Sequence, residues 1–194
     1  MTTRCTPYVG HVWTHTHSFN AVVDAISEND WIAVKMVDLY SELSVLCNAT
    51  SDFCTESTCP SMRAGMGYEY TWADPTSSEY STPTSVPARK YMELLMTWVD
   101  THLNNIESES ASLPAGSFNI NIKIFCRRLF RVYAHVFCQH SVETNSIHQH
   151  LRYSLFHFIL FMREYGLLVS DIEALPLKEV IDSLSIPNLH FPPH

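Results

Sequence analysis

Four residues in this 194-residue chain have the donor types and spacing to hold a metal ion. Cys54 and Cys59 stand in "DFCTESTCP", and His135 and His140 stand in "RVYAHVFCQH". Two thiolates and two imidazoles form a soft-plus-borderline donor set suited to tetrahedral zinc, and each pair keeps a spacing that zinc sites use. With four protein ligands such a site is closed, which makes it structural rather than catalytic. About 75 residues separate the pairs, against the ~12 of a DNA-binding finger. The ion would therefore tie a mid-chain loop to a distant helix. On a straight helix His140 lies about 140° around from His135, so the helix must end or distort between them. The polar run Gln139 to Ser146 permits that. Taken singly, the cysteine pair also fits a disulfide or a redox pair, and His135 a hydrogen-bonded core histidine. A zinc hydrolase is the alternative from another class; Glu56, between the cysteines, is its one obvious general base. Cys5, Cys47, Cys126 and Cys138 read as buried or incidental thiols, with Cys138 the nearest substitute ligand. His11 and His15 form a weaker pair in a segment without helical period.

A second constellation is cationic. The chain has 12 Lys and Arg, and four of them fall in "KIFCRRLFR". On a helix Lys123, Arg127, Arg131 and His135 lie four apart and form one line, with Arg128 beside it. Ile122, Phe125, Leu129, Val132 and Val136 form the opposite, buried stripe. Like charges four apart repel, so the line calls for a compensating anion. An internal carboxylate network would supply it, and so would an external phosphate.

The elements that must position these groups read as helices. Asp30 to Ala49 follows the helical period, with Asn29 or Asp30 as cap and Trp31, Val34, Met36, Val37, Tyr40, Leu43 and Leu46 inward. "GYEYTW" alternates like a strand, and Asp74 to Pro87 completes a hairpin or long loop. Ala88 to about Asn104 is helical, with Tyr91, Leu94, Leu95, Trp98 and Leu103 inward; Asn105 to Gly116 reads as a surface loop. Phe118 to about Phe137 carries the strongest helical pattern. A further helix spans about His150 to Tyr165 and ends at Gly166, and a short last one covers about Leu177 to Leu184. Residues 1 to about 28 have little period. The expectation is a mainly α protein, a helical bundle with an irregular, Cys-bearing insert.

Composition sets bounds. A net charge of −8 argues against a nucleic-acid partner, because phosphate-backbone affinity needs clustered Lys and Arg. No signal-type or membrane-spanning apolar run stands out. A cytoplasmic or nuclear, reducing location follows, where paired cysteines serve as ligands more than as disulfides.

Taken together, "DWIAVKMVDLY", "FCTESTCP", "YEYTWAD", "YMELLMTWV" and "RRLFRVYAHVFCQH" resemble the Mob/phocein family, in the family's order, with "HFILFMREYGLL" and "LPLKEVI" similar to its last helices. "RLFRVYAH" with a later "QH" resembles the subgroup that coactivates NDR/LATS-type kinases. The resemblance implies a Mob-type fold, a four-helix bundle core with extra helices, and one structural zinc ion on Cys54, Cys59, His135 and His140. It implies an N-terminal extension over 1–27, a Mob domain over 28–186 and a Pro/His tail over 187–194. It implies no enzymatic activity but an adaptor with two partners. One is the N-terminal regulatory segment of an NDR/LATS-type kinase, on a surface matched by Asp30, Trp31, Asp38 and His157. The other is a phosphothreonine peptide of an upstream Ste20-like (Hippo-type) kinase or scaffold, on Arg127, Arg128 and Arg131, with Lys123 extending the basic line. A divergent scaffold that has lost its kinase is the alternative within the family.

Overall fold

The computed structural model describes residues 28–109, 117–144 and 147–193. Four long helices, α1 (Glu28–Ala49), α2 (Ala88–Glu109), α3 (Ser117–Gln139) and α4 (His148–Glu164), share one hydrophobic core. After them come α5 (Asp171–Ala174), a 3-10 turn (Leu175–Leu177) and α6 (Lys178–Ser183). Between α1 and α2 lies a two-stranded antiparallel hairpin, β1 (Arg63–Ala64) and β2 (Tyr68–Glu69).

Helix α3 is the central element. From Phe125 to Phe137 it is buried on nearly every side; only Arg127 is exposed and Arg131 half-buried. The expected buried stripe of Ile122, Phe125, Leu129, Val132 and Val136 is all there. Cys126, Phe130, Tyr133 and Ala134 are buried as well, because α1, α2 and the hairpin all pack on this helix. Each fully buried large apolar side chain contributes about 1.5–3 kcal/mol. That density of contacts makes α3 a rigid platform for both constellations. Helix α4 ends in a glycine motif: Gly166 has φ +63°, its N–H donates to Arg163 O, and the Leu167 N–H donates to Met162 O. Both bonds satisfy carbonyls that the helix end would leave open.

A buried polar chain crosses the bundle. The Tyr133 hydroxyl donates to Ser154 Oγ, which donates to Glu42 Oε2 at 2.7 Å, linking α3, α4 and α1. The Tyr133 ring also stacks on Phe158 at 5.4 Å. Breaking such a chain leaves a buried donor or acceptor at a cost of about 1–3 kcal/mol.

Several expectations need correction. Helix α1 starts at Glu28 rather than Asp30, and its inward face is Ile32, Met36, Leu39, Leu43 and Leu46. Val34 and Val37, expected inside, are 47% and 48% exposed, and Trp31 and Tyr40 are half-buried. The segment is apolar on more than one face, so the period alone does not choose between them. Asn105 to Glu109, expected as loop, continues α2; no Gly or Pro interrupts it before Pro114. The Leu103 side chain lies outside the described residues, as do 1–27, 110–116, Asn145 and Ser146. "GYEYTW" does alternate, with Tyr70 and Trp72 buried and Glu69 and Thr71 exposed. Its pairing is nevertheless limited to β2 and one bridge, Trp72 with Thr84. Helix α5 and the 3-10 turn were not expected, although Ser170 and Glu173 have the spacing of a capping box, a start signal.

Candidate metal centre and arginine cluster

Helix α3 ends at Gln139, one residue before His140, which meets the geometric requirement on the two histidines. The His140 N–H still donates to Val136 O at 3.0 Å, so the chain leaves the helix only after delivering the second imidazole. On the other side, turn bonds from Cys54 N to Thr50 O and from Cys59 N to Thr55 O, both 2.8 Å, set the loop that presents the two sulfurs.

The four side chains converge. Their donor atoms lie within 4.8 Å of one another, and all four residues are buried. Cys54 Sγ is 3.3 Å from His135 Nε2, Cys59 Sγ 3.3 Å from His140 Nε2, and the two Nε2 atoms are 3.2 Å apart. A tetrahedral zinc, with bonds of about 2.3 Å to sulfur and about 2.0–2.1 Å to nitrogen, has N···N edges of about 3.3 Å and S···N edges of about 3.5 Å. The donor set fits the ion in type and number, and these N···N and S···N separations lie close to the tetrahedral edges. His135 Nδ1 donates to Arg63 O of β1 at 2.7 Å, which leaves the Nε2 lone pair facing the group. Gln139 Nε2 donates to Gly65 O at 3.3 Å, where φ is +64°, so the hairpin tip also sits on the ligand helix.

Electrostatics favour neutral groups here until a cation arrives. Burial, then the neighbouring Cys59, pushes the Cys54 thiol up to about 12. Burial pulls His135 down to about 4 against its bond to the Arg63 carbonyl, and burial also lowers His140. At neutral pH the imidazoles are ready to coordinate, but Cys54 must first lose its proton. Affinity for zinc is therefore expected to fall as pH falls from 8 to 6. The slope should be about tenfold per pH unit for each thiol proton released. Competition against a chromophoric chelator at several pH values measures it; a pH-independent affinity would deny thiolate ligation.

The other thiols stand apart. Cys138, the expected substitute, is exposed and its Sγ donates to Pro176 O at 3.4 Å. Cys126 is buried in the core and Cys47 half-buried. Cys5, His11 and His15 lie outside the described residues. Glu56, the base a hydrolase would need, is exposed on the loop surface, while the ligand atoms are buried.

The expected line of cations, with Arg128 beside it, divides into four environments. Arg128 is buried, its guanidinium 4.0 Å from the Trp72 ring and 4.6 Å from the Trp98 ring, with Nη2 donating to Ala73 O at 2.6 Å. Burial lowers its pKa, partly offset by Tyr91 and Asp74. Arg127 and Arg131 both reach Glu173 of α5. Arg127 Nη2 is 3.0 Å from Oε2 and Arg131 Nη2 is 3.4 Å from Oε1. Among the described residues Tyr70 Oη and Arg128 Nη1 are buried without a hydrogen-bond partner, while the buried Tyr91 hydroxyl faces Arg131. Arg131 lies 5.2 Å over the Tyr70 ring, and Tyr91 interacts electrostatically with the half-buried Arg131 and the buried Arg128. Lys123 is outside this cluster. With Arg127, Leu167, Val169, Pro192 and Pro193 it lines a separate cavity of about 270 Å³. His135, the last member of the line, belongs to the metal group instead. Glu173, Tyr70, Tyr91, Trp72 and Trp98 were not foreseen as partners of the arginines; the capping-box spacing at Glu173 was the only available signal.

The expected kinase surface is contiguous where it is described. Lys35 pairs with Asp38 at 3.2 Å and lies 4.8 Å over the Trp31 ring. The same ammonium, after burial, lowers the pKa of His157 on α4. Asp30 lies in the first turn of α1, with its side chain outside the described residues.

A family profile described as "Mob1/phocein family" matches residues 15–176. The chain belongs to the Mob1/phocein family. Similar relatives include MOB kinase activator-like 1A of Arabidopsis thaliana, 38% identical over 82% of this chain and 75% of its own length. MOB kinase activator-like 1 homolog A of Dictyostelium discoideum is 39% identical over 80% of this chain and 74% of its own. MOB kinase activator-like 3 of Drosophila melanogaster is 38% identical over 78% of this chain and 70% of its own. Both constellations of this Mob chain lie inside the matched segment. Among the described residues no helix is long and apolar enough to cross a membrane.

Proposed function

We propose that this Mob protein is a non-catalytic adaptor, clasped by one structural zinc ion, that coactivates an NDR/LATS-type Ser/Thr kinase. Its arginine cluster receives a phosphothreonine peptide of an upstream Ste20-like (Hippo-type) kinase or scaffold. One observation carries the second half. Arg127 and Arg131 share one carboxylate beside the buried Arg128 in a chain of net charge −8, and Arg128 Nη1 is buried without a hydrogen-bond partner among the described residues. A phosphate dianion is the ligand for such a donor set. Names of the relatives support the kinase role, and a four-ligand metal group with no position for water supports the non-catalytic one. The Trp31, Asp38 and His157 surface, flanked by the exposed Val34 and Val37, suits the apolar face of a partner helix.

Fluorescence titration of a phosphothreonine peptide tests the reading. Binding should weaken with added salt. Arg127→Ala with Arg131→Ala should reduce affinity on the order of a hundredfold, with the fold intact. Equal binding by the double variant, or by the unphosphorylated peptide, would reject the phosphate site. A pull-down with an NDR-type N-terminal segment, comparing the wild type with Trp31→Ala and His157→Ala, tests the kinase surface. No capture by the wild type would leave a Mob scaffold without that partner.

A further inference from the structure

We propose that Glu173 is the resident anion of the arginine cluster and that a phosphorylated ligand binds by displacing it; this rests on the phosphopeptide reading above. The Glu173 carboxylate already occupies the position a phosphate would seek. Oε2 accepts from Arg127 Nε at 3.1 Å and lies 3.0 Å from its Nη2, while Oε1 accepts from Arg131 Nη2 at 3.4 Å. The contact spans 46 residues of sequence, so α5 has to be docked on α3 for it to exist. The Glu173 side chain is 25% exposed, enough for solvent and ligand to reach it.

The carboxylate also has an alternative partner close by. Ser170 caps α5 by accepting from the Glu173 N–H at 3.3 Å, half of a capping box. In the complete box the acidic side chain turns back to the N–H of the capping residue. Among the described residues that second half is not made, because the side chain is turned toward the arginines. Glu173 thus has two docking positions within one turn of chain: across Arg127 and Arg131, or against the Ser170 N–H. A two-position element of this kind acts as a filter. The apparent affinity of any anion equals its intrinsic affinity multiplied by the fraction of molecules in which the carboxylate has withdrawn. Weakly held anions fall below a useful affinity, and only a ligand with strong charge-assisted bonds takes the site.

Because withdrawal is a common first step, removing the carboxylate should strengthen every anion by the same factor, whatever its charge. NMR titrations reach millimolar affinities and allow the comparison. A phosphothreonine peptide and its glutamate-substituted analogue are each titrated into the wild type, Glu173→Gln and Glu173→Ala, with thermal melts confirming the fold. The expected result is a gain on the order of tenfold, equal for both peptides and similar in both variants. A gain for the phosphopeptide alone would mean that the carboxylate stays in place and merely repels, and would overturn displacement. Unchanged or weaker binding in both variants would make Glu173 a positioning residue and overturn it too, while leaving the phosphopeptide reading standing. If neither the wild type nor the variants bind the phosphopeptide, that reading fails and takes this one with it.

Discussion

If the Cys54, Cys59, His135 and His140 group holds zinc as proposed, replacing Cys59 by serine is expected to abolish metal binding and lower the melting temperature by about 10–20 °C. Serine keeps the size of the side chain but not its affinity for a soft cation. Structural zinc in small peptides is bound by ~10–16 kcal/mol, comparable with the ~5–15 kcal/mol that holds a whole domain together. The connection between α1 and α2 has little regular structure of its own, its strands being two residues each. That segment nevertheless places Met62, Trp72, Tyr80 and Val86 in the core. Without the ion, the loop bearing Cys54 and Cys59 would lose its tie to α3, leaving core packing and the bonds from His135 and Gln139 to hairpin carbonyls to hold the segment. Trp72 fluorescence should therefore shift toward that of exposed indole at temperatures where α-helical circular dichroism persists. Cys138→Ser, at an exposed thiol, should change stability by no more than about 0.5 kcal/mol and retain the metal. Full stability of the Cys59 variant, together with metal-free wild type by elemental analysis, would refute the clasp.

The second large effect is expected at Arg128. Its guanidinium is enclosed by Trp72 and Trp98 and bonded to Ala73 O, so it is as much a core residue as a cation. A desolvated cation–π contact contributes about 2 kcal/mol, and a charge-assisted hydrogen bond about 1.5–3 kcal/mol. Arg128→Ala loses these and leaves a cavity between two indoles. We expect a destabilisation of about 3–5 kcal/mol by urea unfolding, together with loss of phosphopeptide binding. Arg128→Lys keeps the charge but not the planar fork or the stacking, and should fall between the two. Arg127→Ala, whose side chain is 53% exposed, should cost at most about 1 kcal/mol. The pair separates fold from recognition: a stability loss at Arg127 as large as that at Arg128 would contradict this division.

How far the site could be read in advance depends on how local each signal is. The Cys54, Cys59, His135 and His140 group was legible because each pair is close in sequence and carries its chemistry in the side chains. The His135 to Arg63 bond was not, since a backbone carbonyl leaves no mark on residue type. For the arginines, the demand for an anion was readable from four cations in nine residues. The structure answers with Glu173, an internal carboxylate, and the identity of that partner depends on how α5 docks. Burial of Arg128 was hidden for a similar reason, since Trp72 and Trp98 come from the hairpin connection and α2. The error over Val34 and Val37 is of another kind: α1 has apolar residues to spare, and the choice of inward face belongs to the packing.

The distance along the chain between the two halves of the metal group also bears on biogenesis. Two ligands alone hold an ion weakly, and here each half waits for a segment about 75 residues away, a closure that must be won against chain entropy. If the group holds zinc as proposed, capture of the ion would then come late, after the bundle has already brought both halves together. On that proposal, a shortage of zinc would show itself as slow maturation of newly made chains, while molecules finished earlier would be spared.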